Sequence, residues 1–212
     1  MRAIGILAAF RGRLIHDCWA SYFTFINCLH ALCNAHILRE LQFIVDQYAQ
    51  SWALDMGQLL LDIKTEVEAR DPEQMALSSE MIASYEKRYE ELLQEGFAAN
   101  PPPEHPPPPK RGRKKQTPPR NLLDRLQKYK AEILAFMYDF RVPFDNNLAE
   151  RDVRMIKVKQ KISGSFRTRT GADTFCAIRS YISTVRKQGG NVIQAIYDTF
   201  NGQPFIPFAF ES

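Results

Sequence analysis

The chain has 212 residues, 45% of them hydrophobic and 25% charged. That is ordinary globular composition, long enough for one sizeable domain or two small ones, and it excludes wholesale disorder, collagen and a disulfide-stapled miniprotein. The formal net charge of +4 conceals an asymmetry, because residues 1–100 sum to −6, residues 101–120 to +5 and residues 139–190 to +6. An acidic first half and a basic second half point to a polyanion as partner of the second half. Cysteine is sparse, at Cys18, Cys28, Cys33 and Cys176, with no regular framework. A reducing intracellular setting is expected.

Met1–Phe10 contains a short apolar run but no small-residue cleavage site before Arg11 and Arg13, so it reads as a helix leading into a strand rather than a signal peptide. Gly12–Asp17 reads as a short buried strand ending at Asp17. Ile26–Cys33 reads as a second strand, continuously apolar as in sheets covered on both faces. Cys18–Leu38 has no Asp, Glu, Lys or Arg and is long enough to span a bilayer, but Asn27, His30, Asn34 and His36 would be costly in hydrocarbon. No membrane span is expected.

Asn34 is a candidate cap for a helical run from His36 to about Arg70, where Ile37, Leu41, Ile44, Tyr48, Trp52, Leu59, Ile63 and Val67 recur mostly at three- and four-residue steps. Gly57 is a candidate interruption, and Pro72 closes the run or starts the next segment. Met75–Gln94 predicts a second helix, with Gly96 as its C-terminal cap. Asn100–Arg120 holds nine of the thirteen prolines and the basic run Lys110–Lys115, and reads as an extended solvated linker. Asn121–Phe140 predicts a third helix. After Val142-Pro143-Phe144, the residues Asp145, Asn146 and Asn147 offer N-caps, and Asn147 with Glu150 fits a capping box for a helix to about Val158. Lys159–Thr170 reads as a basic loop. Ala172–Lys187 is helical, Gly189-Gly190 stops it, and Asn191 caps a last helix to Phe200. The aromatic tail Pro204–Phe210 is expected to pack on another surface.

Three features carry candidate chemistry. Asp17 sits at the carboxyl end of a buried strand, where open α/β sheets place their sites, although a strand-ending Asp also serves as a turn residue. Glu150 reads either as a capping or Arg154-pairing residue, or as a metal-binding carboxylate opposite Asp17. Arg151, Arg154, Lys157, Lys159, Lys161, Arg167 and Arg169 follow closely, and suit a phosphate backbone or a solvated basic face. His30-x-x-Cys33-x-x-His36 has metal-like spacing, but on a strand Cys33 points away from both histidines and a fourth ligand is lacking.

Leu14-Ile-His-Asp-Cys-Trp-Ala-Ser-Tyr-Phe23 resembles the second-aspartate segment of bacterial insertion-sequence transposases of the IS-66 type. His30-Ala-Leu-Cys-Asn-Ala-His-Ile-Leu-Arg-Glu-Leu41 resembles the segment after it, and Val142-Pro-Phe-Asp-Asn-Asn-Leu-Ala-Glu-Arg-Asp-Val-Arg154 the catalytic-glutamate segment. Lys157–Phe166 and Arg179–Gly190 continue the likeness. The resemblance implies an α/β remnant of an RNase H-like (DDE) fold, mostly α-helical, with few short strands and a helical insertion between the second and third carboxylates. In that family three carboxylates hold two Mg²⁺ ions and the reaction breaks and joins DNA strands. Asp17 matches the second carboxylate and Glu150 the third, both as catalytic and metal-binding residues. Asn146, Asn147, Arg151, Arg154, Lys157, Lys159, Lys161 and Arg167 would face DNA.

The resemblance divides the chain into partial core strands (1–35), a helical insertion (36–99), a linker (100–120), helices bearing the glutamate and basic segment (121–190), and a last helix with an aromatic tail (191–212). Transposon ends and target DNA would be partners, with a homo-oligomer or an intact transposase as protein partner, in the bacterial cytoplasm at the nucleoid. The first catalytic Asp has no counterpart in the sequence, which leads to the expectation of a truncated or split transposase inactive alone. A non-catalytic DNA-binding remnant and a helical interaction module remain the alternatives.

Overall fold

A computed structural model describes residues 10–102 and 116–207. The expected helix at Met1–Phe10, the basic run Lys110–Lys115 and the end of the aromatic tail lie outside, or almost wholly outside, these residues. Among the described residues there are two short strands and nine α-helices. The chain divides into two compact units, with the division between Asn146 and Asn147. No described helix is long and apolar enough to cross a membrane.

The first unit opens with β1 (Arg13–His16) and β2 (Leu29–Leu32), paired in parallel with Arg13 opposite Leu29 and His16 opposite Leu32. Both expected strands are present and shorter than anticipated, and Ile26 lies outside β2, exposed. Their connection contains a single 3-10 turn at Tyr22–Thr24.

The expected long helix from His36 to Arg70 is two helices, α1 (Asn34–Tyr48) and α2 (Ser51–Glu68). The break falls at Ala49, which takes a left-handed φ of 49°, while Gly57 sits inside α2 without interrupting it. Side chains around the break explain its place. Gln50 and Asn100 exchange two amide hydrogen bonds of 2.9 and 2.8 Å, tying the corner to the end of α3 (Ser79–Ala99). Ile37, Leu41 and Ile44 of α1 then join one core with Trp52, Met56, Leu60 and Ile63 of α2.

Asn34 does not cap α1 with its side chain. It is buried in the first turn, and its Nδ2–H donates to the Ile133 carbonyl at 3.0 Å. Met75–Leu77 is not helical, because Leu77 N–H donates to Met137 O and Met75 O accepts from Phe140 N–H. Ser78 instead caps α3 by accepting from Met81 N–H. Gly96 is no terminator either. It is buried within α3, where a Cβ would stand 2.4 Å from Leu123 Cδ2 and 3.0 Å from Trp52. The glycine is a close-approach residue.

The proline-rich stretch ends as structure. Thr117 caps α4 (Pro118–Lys128), whose prolines occupy the first turn, where their missing N–H groups cost nothing. Leu122, Leu123 and Leu126 of α4 share the core of α3, and Tyr89 OH donates to Leu126 O at 3.0 Å. The expected Asn121–Phe140 helix is α4, α5 (Lys130–Ile133) and α6 (Ala135–Tyr138), three segments with kinks at Tyr129 and Leu134.

The second unit comprises α7 (Asn147–Ser163), α8 (Arg169–Lys187) and α9 (Val192–Phe200). Helix α7 runs past Val158, so Lys159 and Lys161 are helical and the loop begins only at Gly164, with φ 70°. Thr168 caps α8 through Gly171 N–H, and Asn191 caps α9 through Gln194 N–H. Tyr181 gathers this unit: its hydroxyl donates to Ala195 O and accepts from Phe205 N–H. The start of the tail therefore packs within the second unit.

Candidate functional site

The carboxyl ends of the two parallel strands bring several candidate residues together. Open parallel sheets place their ligands there. Asp17, exposed, follows β1 directly, and its Oδ1 accepts from Trp19 N–H at 3.2 Å. Cys33 follows β2. Between them comes Asn146, whose N–H donates to Cys33 Sγ at 3.2 Å and whose Nδ2–H donates to the Ile15 carbonyl at 3.2 Å. The chain is held there by a further bond, from Asn34 N–H to Phe144 O at 3.0 Å. Asn146, expected to face DNA, has at least one of its amide hydrogens engaged inside the first unit.

Two histidines pair next to this strand end: His16, which was not among the sequence-based candidates, and His30, which entered there only through a metal-like spacing. The parallel register puts His30 opposite Leu14, so His16, two residues on, shares its face. His16 is buried and its Nε2 lies 2.9 Å from His30 Nδ1. Its Nδ1–H donates to the Asp17 carbonyl, and His30 Nε2 lies 3.1 Å from the Phe25 carbonyl. Burial pushes the His16 imidazole below its ordinary range, opposed by the hydrogen bond to the Asp17 carbonyl. Tyr22 stacks on His16 at 4.7 Å between centroids. The signal for this pair is register, which the sequence does not carry. His30 therefore belongs to a histidine pair, while Cys33 accepts from Asn146, so neither is engaged with the other.

In the second unit, Glu150 lies in the first turn of α7, half-buried. Positions 150, 154, 157 and 161 fall within about 60° of one another on a helix of 3.6 residues per turn. Arg154, Lys157 and Lys161, all exposed, thus continue along the Glu150 face for about 16 Å of helix. Arg151 points about 100° away from Glu150 on the same wheel. Arg167 is exposed in the loop after α7, and Asn147 is the exposed first residue of the helix.

Lys159 is placed differently. Its ammonium sits 4.1 Å from the Phe166 ring centroid and donates to the carbonyls of Gly164 and Ser165 at 3.2 and 3.4 Å. It closes the end of α7, on the flank opposite the Glu150 face. That flank packs on α8. There Asp152 accepts from Ser183 Oγ at 2.7 Å and pairs with Lys187, contacts that hold its carboxyl below the usual range.

Asp17 thus follows β1 in the first unit, and in the second Glu150 shares its face of α7 with Arg154, Lys157 and Lys161. A family model described as Transposase IS66 family matches residues 2–174. No curated protein and no solved structure matches the chain. With the match running from the segment before β1 into α8, the chain belongs to the IS66 family of transposases, whose role is in transposition and whose partner is DNA.

Proposed function

We propose that the chain serves the phosphoryl-transfer chemistry of transposition, with Asp17 and Glu150 as metal-binding carboxylates and the Arg154–Lys157–Lys161 stripe as the track for a DNA strand. The observation that carries this reading is the alignment of one carboxylate and three cations on a single face of α7. A phosphodiester that follows the cations along the helix is delivered to Glu150. Exposed lysines and arginines hold phosphates without reading sequence.

Magnesium fits the donor set, since carboxylate oxygens are the ligands this hard ion prefers. Bound there, a pair of such ions supplies an activated nucleophile and stabilises the leaving oxygen. The protein's own part is to hold the two carboxylates. On the first unit's side, Asn146 is tied to Ile15, two residues before Asp17.

The test is Mn²⁺ as a paramagnetic probe of the full chain. Selective NMR broadening around both Asp17 and Glu150, lost in Asp17→Asn and in Glu150→Gln, is expected. Broadening centred elsewhere, or unchanged in both variants, overturns the metal assignment. The second reading, DNA binding without catalysis, rests on the basic stripe alone. It is favoured if DNA binds with a steep salt dependence while Mn²⁺ leaves both carboxylates untouched.

A further inference from the structure

The flank where α7 meets α8 holds a groove of about 240 Å³, lined among others by Asp152, Arg179, Ser180, Ser183, Thr184 and Lys187. The unusual group in it is Arg179. Its Nε–H is buried and has no hydrogen-bond partner among the described residues. A buried guanidinium N–H without an acceptor is costly, and native structures rarely leave one so. Asp152, the acidic residue lining the groove, does not fill the need. It is already engaged by Ser183 Oγ and Lys187 Nζ. Counting Arg179, Lys187 and Asp152, the groove keeps one positive charge. Thr184 Oγ1 donates to Ser180 O, which leaves Ser180 as the hydroxyl donor next to Arg179 on α8.

We propose that this groove holds one phosphodiester of a DNA strand, with Arg179 as its anchor and Ser180 as a second donor. The guanidinium fork matches two phosphate oxygens, which an ammonium cannot do. A phosphodiester carries a single charge, equal to the groove's surplus. Free phosphate at neutral pH is a mixture of singly and doubly charged forms. The setting agrees, because residues 139–190 sum to +6. This contact rests on the reading of the chain as a DNA-binding protein. It adds to that reading a phosphate site on the α8 flank of α7, separate from the Glu150 face.

The experiment follows the arginine Nε–H resonances of the full ¹⁵N-labelled chain, with the Arg179 signal assigned by its loss in Arg179→Lys. A 20-base-pair duplex and inorganic phosphate are titrated separately. The Arg179 signal is expected to move with the duplex, and to move still in Arg154→Gln/Lys157→Gln. In anisotropy titrations Arg179→Gln should bind the duplex about three- to tenfold more weakly at 0.15 M salt. The slope of log affinity against log salt should fall by about 0.9, the value for one phosphate. Duplex binding with the Arg179 signal unmoved and the slope unchanged overturns the groove assignment and leaves the α7 track standing. Movement with phosphate but not with duplex overturns it in favour of a free-anion site. A wild-type chain that binds no duplex removes the DNA reading and this inference together.

Discussion

The Asn146 side-chain amide donates to the Ile15 carbonyl at 3.2 Å, joining positions 131 apart in sequence. The bond fixes the residue just before α7 to the strand that Asp17 follows. Asn146→Ala should lower unfolding stability by about 1 kcal/mol, the typical net value of such a bond. Asn146→Asp should cost more, since it sets a carboxylate against a carbonyl oxygen. Urea denaturation reads both. If the bond also positions the candidate metal ligands, the Mn²⁺ affinity of Asn146→Ala falls by more than its stability loss explains. Equal stability of all three proteins would remove the tether from the account.

Gly96 sits where α3 passes Trp52 and Leu123. Alanine is favoured over glycine inside a helix by about 1 kcal/mol, so propensity alone predicts stabilisation. The contact opposes it. A Cβ would lie 2.4 Å from Leu123 Cδ2, and Leu123 is fully buried, with little room to give. Overpacking of this kind costs about 1–3 kcal/mol. Gly96→Ala is therefore expected to lower Tm. In a Leu123→Ala background the same change should be neutral or stabilising, because the space is then open. A Tm rise in the wild-type background would show that Leu123 can yield.

These two residues mark what the sequence could and could not reveal. Periodicity located the helical stretches and both strands, since apolar spacing is a local property. It missed the corner at Ala49, which depends on Gln50 meeting Asn100 fifty residues away. It read Gly96 as a cap because glycine commonly ends helices, when the glycine answers to a leucine on another helix. The candidate site shows the same division. Asp17, Glu150 and the spacing of Arg154, Lys157 and Lys161 are legible along the chain. The His16–His30 pair and the Ile15–Asn146 bond depend on strand register and on a distant return of the chain.

His16 makes stability pH-dependent near neutrality. Burial lowers its folded pKa below the ordinary 6.5, so the unfolded chain binds more protons in the window beneath that value. The contribution is whole above 6.5 and is lost as pH falls through the lowered folded value. Asp139 acts in a separate, more acid window. The Arg141 side chain, with Arg13, holds its carboxyl at about 2 against an ordinary 3.8. Its contribution is present above 3.8 and disappears as pH falls toward 2. Denaturant midpoints measured from pH 8 to 2 should show two steps. His16→Phe should flatten the upper step alone and Asp139→Asn the lower alone. A single step untouched by either substitution would contradict both assignments.

Lys157 and Lys159, two positions apart, should behave differently. Lys157 is exposed on the Glu150 face, where a phosphate can reach it. Lys159 is engaged with the Phe166 ring and two carbonyls at the end of α7. Lys157→Ala should therefore reduce the slope of log DNA affinity against log salt by about 0.9, with stability nearly unchanged. Lys159→Ala should leave the slope close to wild type. It should lower stability by about 0.5–1 kcal/mol instead, through the lost ring contact and the carbonyls it satisfied. Both variants are measured by duplex anisotropy over a salt series and by urea denaturation. The reverse assignment of the two effects would mean that DNA follows the α8 flank of α7 and not the face that carries Glu150.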